Sequence, residues 1–378
     1  MTDTRITAES WETLRARHSA KWRRFPEAVI PMHVAEMDYP VAEPIREVLG
    51  NLVATSDMGY LGPVPELAPA FVAFSEARWG WTPETENARL APDVGVATVE
   101  FLRAHHAKHV IVTSPVYAGF WHWLEELDVD IVDVPLTDDF RLDISGIERE
   151  FANGVKFFVL CNPHNPLGRV FTRDELTALA EAADRHGAVV IADEIHAPLT
   201  YPGTGFVPYL SLGPVAERTG VLVTSTSKSW NLAGLKAAFI TASGARGREL
   251  LAPLPEAMHW RSSLLGAFSM AVAYGQGVTW LDSTISTLTI ARDHFASELA
   301  RLLPAAKLEM IPEAGYLAWV DVSGLNLGEN PWDRILEEGR VSVVPGTDLG
   351  PQYTQHVRFN FATSPELITE ALTRIAAI

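Results

Sequence analysis

The run VKFFVLCNPHNPLGRVFTRDELTALAEAADRHGAVVIADEIHAPL, residues 155–199, decides the fold. Its opening segment, 155–163, is apolar without alternation, so the pattern predicts a strand buried on both faces. Residues 173–187 then read as an amphipathic helix stopped by a glycine. Residues 188–194 form a second fully apolar strand. Strand, helix and strand in that order make a parallel crossover unit. Outward from it the alternation continues. Residues 109–117 read as a buried strand, GFWHWLEEL as a helix and DIVDVPL as a short strand. Residues 220–228 read as a further strand that leads into AGLKAAFITAS. Buried strands alternating with helices imply an α/β fold whose mostly parallel sheet is covered on both faces.

The flanks read differently. Residues 8–24 suggest one polar helix, and 41–55, 66–79 and 94–105 suggest three more. TSDMGYLGPVPE lies between the second and third of these and is too rich in glycine and proline to be helical. After about residue 264 a long helical pattern runs through Arg301. Short strands follow near 316–322 and 357–361, then a C-terminal helix. That part reads as a smaller α+β domain.

Composition narrows the function. The chain has 378 residues and a formal charge of −17. Nucleic-acid and anionic-membrane surfaces need clustered Lys and Arg, so neither partner is expected. The single cysteine, Cys161, leaves no disulfide framework and no cysteine-based zinc site. No metal is expected, and the cluster His105, His106 and His109 reads as a solvated helix end. The polar start MTDTRITAES has no apolar core, and no run of about 18 apolar residues occurs, so a cytoplasmic protein is expected.

Ligands of open α/β sheets sit at the carboxyl ends of the strands. There this sequence places CNPHNP, then Asp193-Glu194, then the Ser225–Lys228 turn, then Tyr117. A nucleotide hydrolase would need a Gly-Lys dipeptide, and none occurs. The serine-hydrolase pattern G-x-S-x-G is also absent. Pyridoxal phosphate suits the set: a lysine for the aldehyde, an acid for the ring nitrogen, an aromatic partner, and hydroxyls with a helix N-terminus for the phosphate.

CNPHNPLGRVFTRDEL, ADEIHAPL and TSTSKSWNLAGLKAAF together resemble the fold-type I pyridoxal-phosphate-dependent aminotransferase superfamily. DEIH, SKSWNLAGLK and the opening KWRRFPEAVIPMHVAEMDYP resemble its cystathionine β-lyase branch, the MalY/PatB-like C–S lyases. The resemblance runs from about Lys21 to the end. It implies a three-layer α/β/α large domain over 46–265 with a seven-stranded sheet. The small domain would combine 1–45 with 266–378.

The resemblance also implies roles. Lys228 would form the Schiff base and act on the Cα proton. Asp193 would pair with the ring nitrogen, and Asn165 would donate to the phenolic oxygen. Tyr117 would stack on the ring. His196 stands where aminotransferases of the superfamily usually carry tyrosine, and it is typical of the lyase branch. Ser225 would reach the phosphate, and the backbone of Val94 and Gly95 is a candidate to do so, although Asp93 replaces the commoner glycine. Lys236 occupies the place of a phosphate arginine and either binds phosphate or faces solvent. Tyr60 resembles the tyrosine that crosses a homodimer to the other subunit's phosphate. Arg358 would grip the substrate α-carboxylate, in a region lined by Ala35 and Glu36. His33, Trp121, Trp123 and Trp260 either shape a bulky apolar pocket or belong to the core. The implied activity is cleavage of cystathionine or related L-cysteine S-conjugates to thiol, pyruvate and ammonia. Transamination, and a regulatory protein that keeps the cofactor, are the alternatives.

Overall fold

The computed structural model describes residues 5–378; residues 1–4, at the head of the expected small domain, lie outside them. The chain forms two compact units. The larger comprises 41–163 and 170–279, and the smaller comprises the residues up to Pro40, 164–169 and 280–378.

Seven strands build the sheet of the larger unit: β1 Arg89–Ala91, β2 His109–Val112, β3 Asp130–Asp133, β4 Phe157–Cys161, β5 Val189–Asp193, β6 Gly220–Thr224 and β7 Ala238–Thr241. Their order is β1-β7-β6-β5-β4-β2-β3. β7 is antiparallel to both its neighbours, and the other pairings are parallel. β5 and β6 are buried along their whole length, as their unbroken apolar sequences require. Val159, Ile191, Val221 and Ile240 from four adjacent strands enter one core cluster.

The helices have local causes. Helix Arg173–His186 starts with a reciprocal cap between Thr172 and Glu175. It stops at Gly187, whose φ of 59° is the left-handed conformation that favours glycine. Helices α1 Glu43–Ala54 and α2 Leu67–Trp79 pack on a later helix, α3 Leu264–Gln276. That packing keeps α3 in the larger unit, whereas the sequence placed the division near residue 265.

Three local expectations change. The long helix expected after residue 264 is two helices, α3 and Val278–Leu302, parted at Gly277. The expected N-terminal helix is two short ones, Trp11–Ala16 and Ala20–Arg23, because Arg17 adopts an extended conformation. The strand expected over 109–117 ends at Val112. There the Asp133 carboxylate takes the Ser114 N–H and hydroxyl at 3.0 and 2.7 Å and turns the chain.

The smaller unit has a four-stranded antiparallel sheet of β8 Lys307–Leu308, β9 Leu317–Asp321, β10 Val344–Pro345 and β11 His356–Asn360, in the order β10-β11-β9-β8. Ile30–Pro31 pairs in parallel with Val341–Ser342.

Candidate active site

In the larger unit the register sets Cys161 beside Asp193, and Asp193 beside Val223. The carboxyl ends of β4, β5 and β6 therefore finish together. β7 enters at the same edge, since Thr224 lies opposite Phe239, and β1 ends there, since Ala91 lies opposite Ala238. Asp193, the 225–228 turn, Lys236 and the helix that begins at Val94 thus gather at one end of the sheet, where open sheets bind ligands.

Asp193 is 4% exposed. Its carboxylate accepts the Ile195 N–H at 3.1 Å, and its main-chain oxygen accepts the Asn162 N–H at 3.0 Å. Burial pushes the carboxyl up to about 7, opposed by the Ile195 N–H and the nearby Lys228 charge. Lys228 is half-buried in the turn after β6. Glu194 is buried as well, accepts the Tyr209 N–H at 2.7 Å and is pushed up to about 8 by burial, with Asp193 adding to the effect. His196 is buried in the turn just beyond.

The candidate phosphate groups are held as follows. The Ser225 hydroxyl donates to the Ala237 carbonyl at 2.6 Å and accepts the Ser227 N–H at 3.1 Å. Asp93 caps helix Val94–Ala104 by accepting the Val96 N–H at 2.8 Å. Its other oxygen pairs with Lys236 at 3.0 Å. Lys236 therefore does not simply face solvent; it neutralises the acid that replaces glycine. Gly95 has a packing reason of its own, because a Cβ there would lie 2.5 Å from the Trp123 indole. Trp123 meets the Tyr117 ring edge-on at 5.6 Å, so one indole links the helix start to Tyr117. Trp260 is 52% exposed and belongs to no core. Tyr60 is 88% exposed.

In the smaller unit Arg358 lies on β11 and is 5% exposed. It donates to Asn165 Oδ1 at 3.1 Å and to the His33 carbonyl at 2.9 Å. Asn165 belongs to this unit rather than to the large domain expected from the sequence. The Gly168 carbonyl, which accepts the Glu313 and Ala314 N–H groups at 2.9 Å, ties its segment there. The Ala35–Glu36 segment is held through its main chain. Tyr316 donates to Ala35 O at 3.0 Å, and Lys21 donates to Glu36 O at 3.2 Å. Lys21 itself forms a buried ion pair with Asp38 at 2.9 Å.

The sequence reading missed Asn360. Its amide donates to Val34 O and Glu36 O at 2.6 and 2.7 Å. The signal was available, since residues two apart on a strand share a face and Asn360 stands two after Arg358. Elsewhere in this unit Glu309, Asp321 and His356 bring ligand atoms within 4.8 Å of one another. Lys307 at 2.6 Å and His356 at 3.1 Å already partner Glu309.

A seven-stranded sheet ending in a buried acid and a lysine turn defines a class, and comparison with known proteins agrees: residues 93–375 match the family Aminotransferase class I and II, and the chain belongs to it. Within that family it is similar to the cystathionine β-lyase of Corynebacterium glutamicum, 35% identical over 97% of this chain and 98% of that protein. It is 32% identical to the cystathionine β-lyase PatB of Bacillus subtilis, over 95% and 96% of the two chains. A crystal structure from Corynebacterium diphtheriae, of a protein assigned as a pyridoxal-phosphate-dependent β-cystathionase, superimposes with a TM-score of 0.94 at 30% identity, covering 98% of each chain.

The residues present fit pyridoxal phosphate. A fully buried carboxyl that accepts a main-chain N–H is costly as an anion, and a cationic ring N–H is a partner that would stabilise it. A half-buried lysine feels the same acid.

Proposed function

We propose that the chain is a pyridoxal-phosphate-dependent C–S β-lyase that cleaves cystathionine, or a related S-conjugate of L-cysteine, to a thiol, pyruvate and ammonia. The observation that carries this reading is the 35% identity to a cystathionine β-lyase along nearly the whole of both chains.

When bound, the cofactor supplies an aldehyde for the lysine and a protonated ring that draws electrons from the substrate Cα. Lys228 would hold it covalently and move the proton at Cα. Asp193 would keep the ring nitrogen protonated. Asn165 and His196 would donate to the phenolic oxygen, and Tyr117 would cover the ring. Ser225, the N–H groups of Val94 and Gly95, and Lys236 would take the phosphate. For Ser225 this requires its hydroxyl to leave the Ala237 carbonyl. Arg358 would bind the substrate α-carboxylate through two parallel hydrogen bonds beside the Ala35–Glu36 segment. Water then supplies the oxygen of pyruvate as the thiolate and ammonia leave.

The proposed working form is a cytoplasmic homodimer, with Tyr60 reaching the phosphate of a second copy. Among the described residues no helix is long and apolar enough to cross a membrane.

The test is to add L-cystathionine to the reconstituted enzyme without a keto acid and to measure pyruvate and free thiol. Equal amounts of both are expected. Lys228→Ala should yield neither and should lack the cofactor's visible absorption band. A strict requirement for a keto-acid acceptor, with no thiol released, would identify an aminotransferase instead.

A further inference from the structure

We infer that His33 is a substrate-binding residue: its ring Nε2–H is a second donor, beside Arg358, for the α-carboxylate of the amino-acid substrate. The inference rests on the function proposed above and adds a residue to that site.

His33 is 5% exposed and follows the short strand Ile30–Pro31. Its carbonyl accepts one Arg358 amino group at 2.9 Å, so the guanidinium is a neighbour of His33, and its charge acts on the ring. The hydrogen-bond pattern sets the tautomer. Nδ1 lies 2.7 Å from the Ser342 hydroxyl oxygen. The other acceptor open to that hydroxyl, the Ile30 carbonyl, is 3.5 Å away, at the limit of a hydrogen bond. Ser342 therefore donates to Nδ1, and the neutral ring carries its proton on Nε2. Burial, together with Arg24, Lys21 and Arg358, pushes the imidazolium down to about 4, which keeps the ring neutral near physiological pH.

Nε2 is buried and has no hydrogen-bond partner among the described residues. A buried N–H left unpaired is costly and rare, so it marks a place where a ligand acceptor belongs. The sign of the surroundings says which acceptor. The charges acting on the ring are all cationic, and Asp38 already pairs with Lys21. A carboxylate held by a guanidinium fork keeps lone pairs available for one more donor. A neutral N–H offers that bond without adding a further positive charge.

Two measurements test this. In the wild-type holoenzyme, long-range 1H–15N spectra of labelled histidine rings should show the His33 Nε2 protonated and Nδ1 bare near neutral pH. The signals are assigned by their loss in His33→Gln. L-alanine, which has the α-carboxylate but no leaving group, should shift Nε2. S-methylcysteamine, which lacks the carboxylate, should not. In kinetics, His33→Phe should raise KM for L-cystathionine about tenfold or more and leave kcat within about twofold. His33→Gln, which restores a side-chain N–H, should recover most of the loss. A proton on Nδ1, an Nε2 signal indifferent to L-alanine, or a glutamine variant no better than phenylalanine would overturn the assignment. Wild-type enzyme that releases no thiol and pyruvate would instead overturn the lyase reading, while the Nε2 response to L-alanine still decides the role of His33.

Discussion

Asp193 and Glu194 are adjacent carboxyls taken out of water, each accepting a main-chain N–H. Burial holds them at about 7 and about 8, against ordinary values of 3.8 and 4.5. The folded protein therefore keeps protons that the unfolded chain gives up above about pH 4. Their contribution is neutral below that pH and grows unfavourable as pH rises toward the folded values. Cofactor-free protein should lose stability between about pH 4 and about pH 8. Asp193→Asn removes one of the two acids. Without cofactor, denaturation at about pH 8 should find the variant more stable than wild type, by up to about 4 kcal/mol, and the difference should fade toward pH 4. Cofactor should reverse the order, because a cationic ring nitrogen favours the carboxylate and an amide cannot repay it. Parallel pH curves for the two cofactor-free proteins would mean that Asp193 is already ionised in the fold.

Gly277 governs an element boundary. A Cβ there would lie 2.5 Å from Trp230 Nε1 and 2.7 Å from the Ala273 carbonyl oxygen. Trp230 also donates to the Gly277 carbonyl at 2.9 Å. In an open helix interior, replacing glycine with alanine stabilises by about 1 kcal/mol. Here Gly277→Ala should destabilise by about 1–3 kcal/mol, read as a lower urea midpoint at unchanged slope. A stabilised variant would mean that the indole does not enforce the break. This site also explains what sequence can reveal. Periodicity reported helix on both sides of residue 277 but could not report a tryptophan 47 positions earlier in the chain. β5 and β6 were legible because burial on both faces leaves an unbroken apolar run. β1 was not, since it has three residues, one of them exposed, and owes its pairing to β7. At the site, Asp193, Ser225 and Lys228 were legible because they end or follow apolar strands. Ser342 acts on a ring nitrogen 309 positions away, and no local pattern encodes such a bond, whereas Asn360 was within reach because it shares a strand face with Arg358.

For the whole molecule, an informative residue is one that its own chain leaves largely exposed. Tyr60 is 88% exposed, and Met58 beside it is 51% exposed. The proposed homodimer would cover these two large side chains, which share one loop. In the proposed homodimer each site combines Lys228 of one copy with Tyr60 of the other, which predicts complementation. Lys228→Ala homodimers should be inactive, and Tyr60→Ala homodimers should bind the cofactor about tenfold more weakly, the loss of roughly one hydrogen bond. In a mixed dimer, the Tyr60→Ala chain keeps its own Lys228 and receives an intact tyrosine from the Lys228→Ala chain. The other site carries both defects. Random re-association of equal amounts should therefore restore about a quarter of the wild-type sites, assayed where cofactor is limiting. Sedimentation should give twice the chain mass before and after mixing. Activity that never exceeds the mean of the unmixed variants would place Tyr60 outside the partner's site and remove the reason for expecting a shared one.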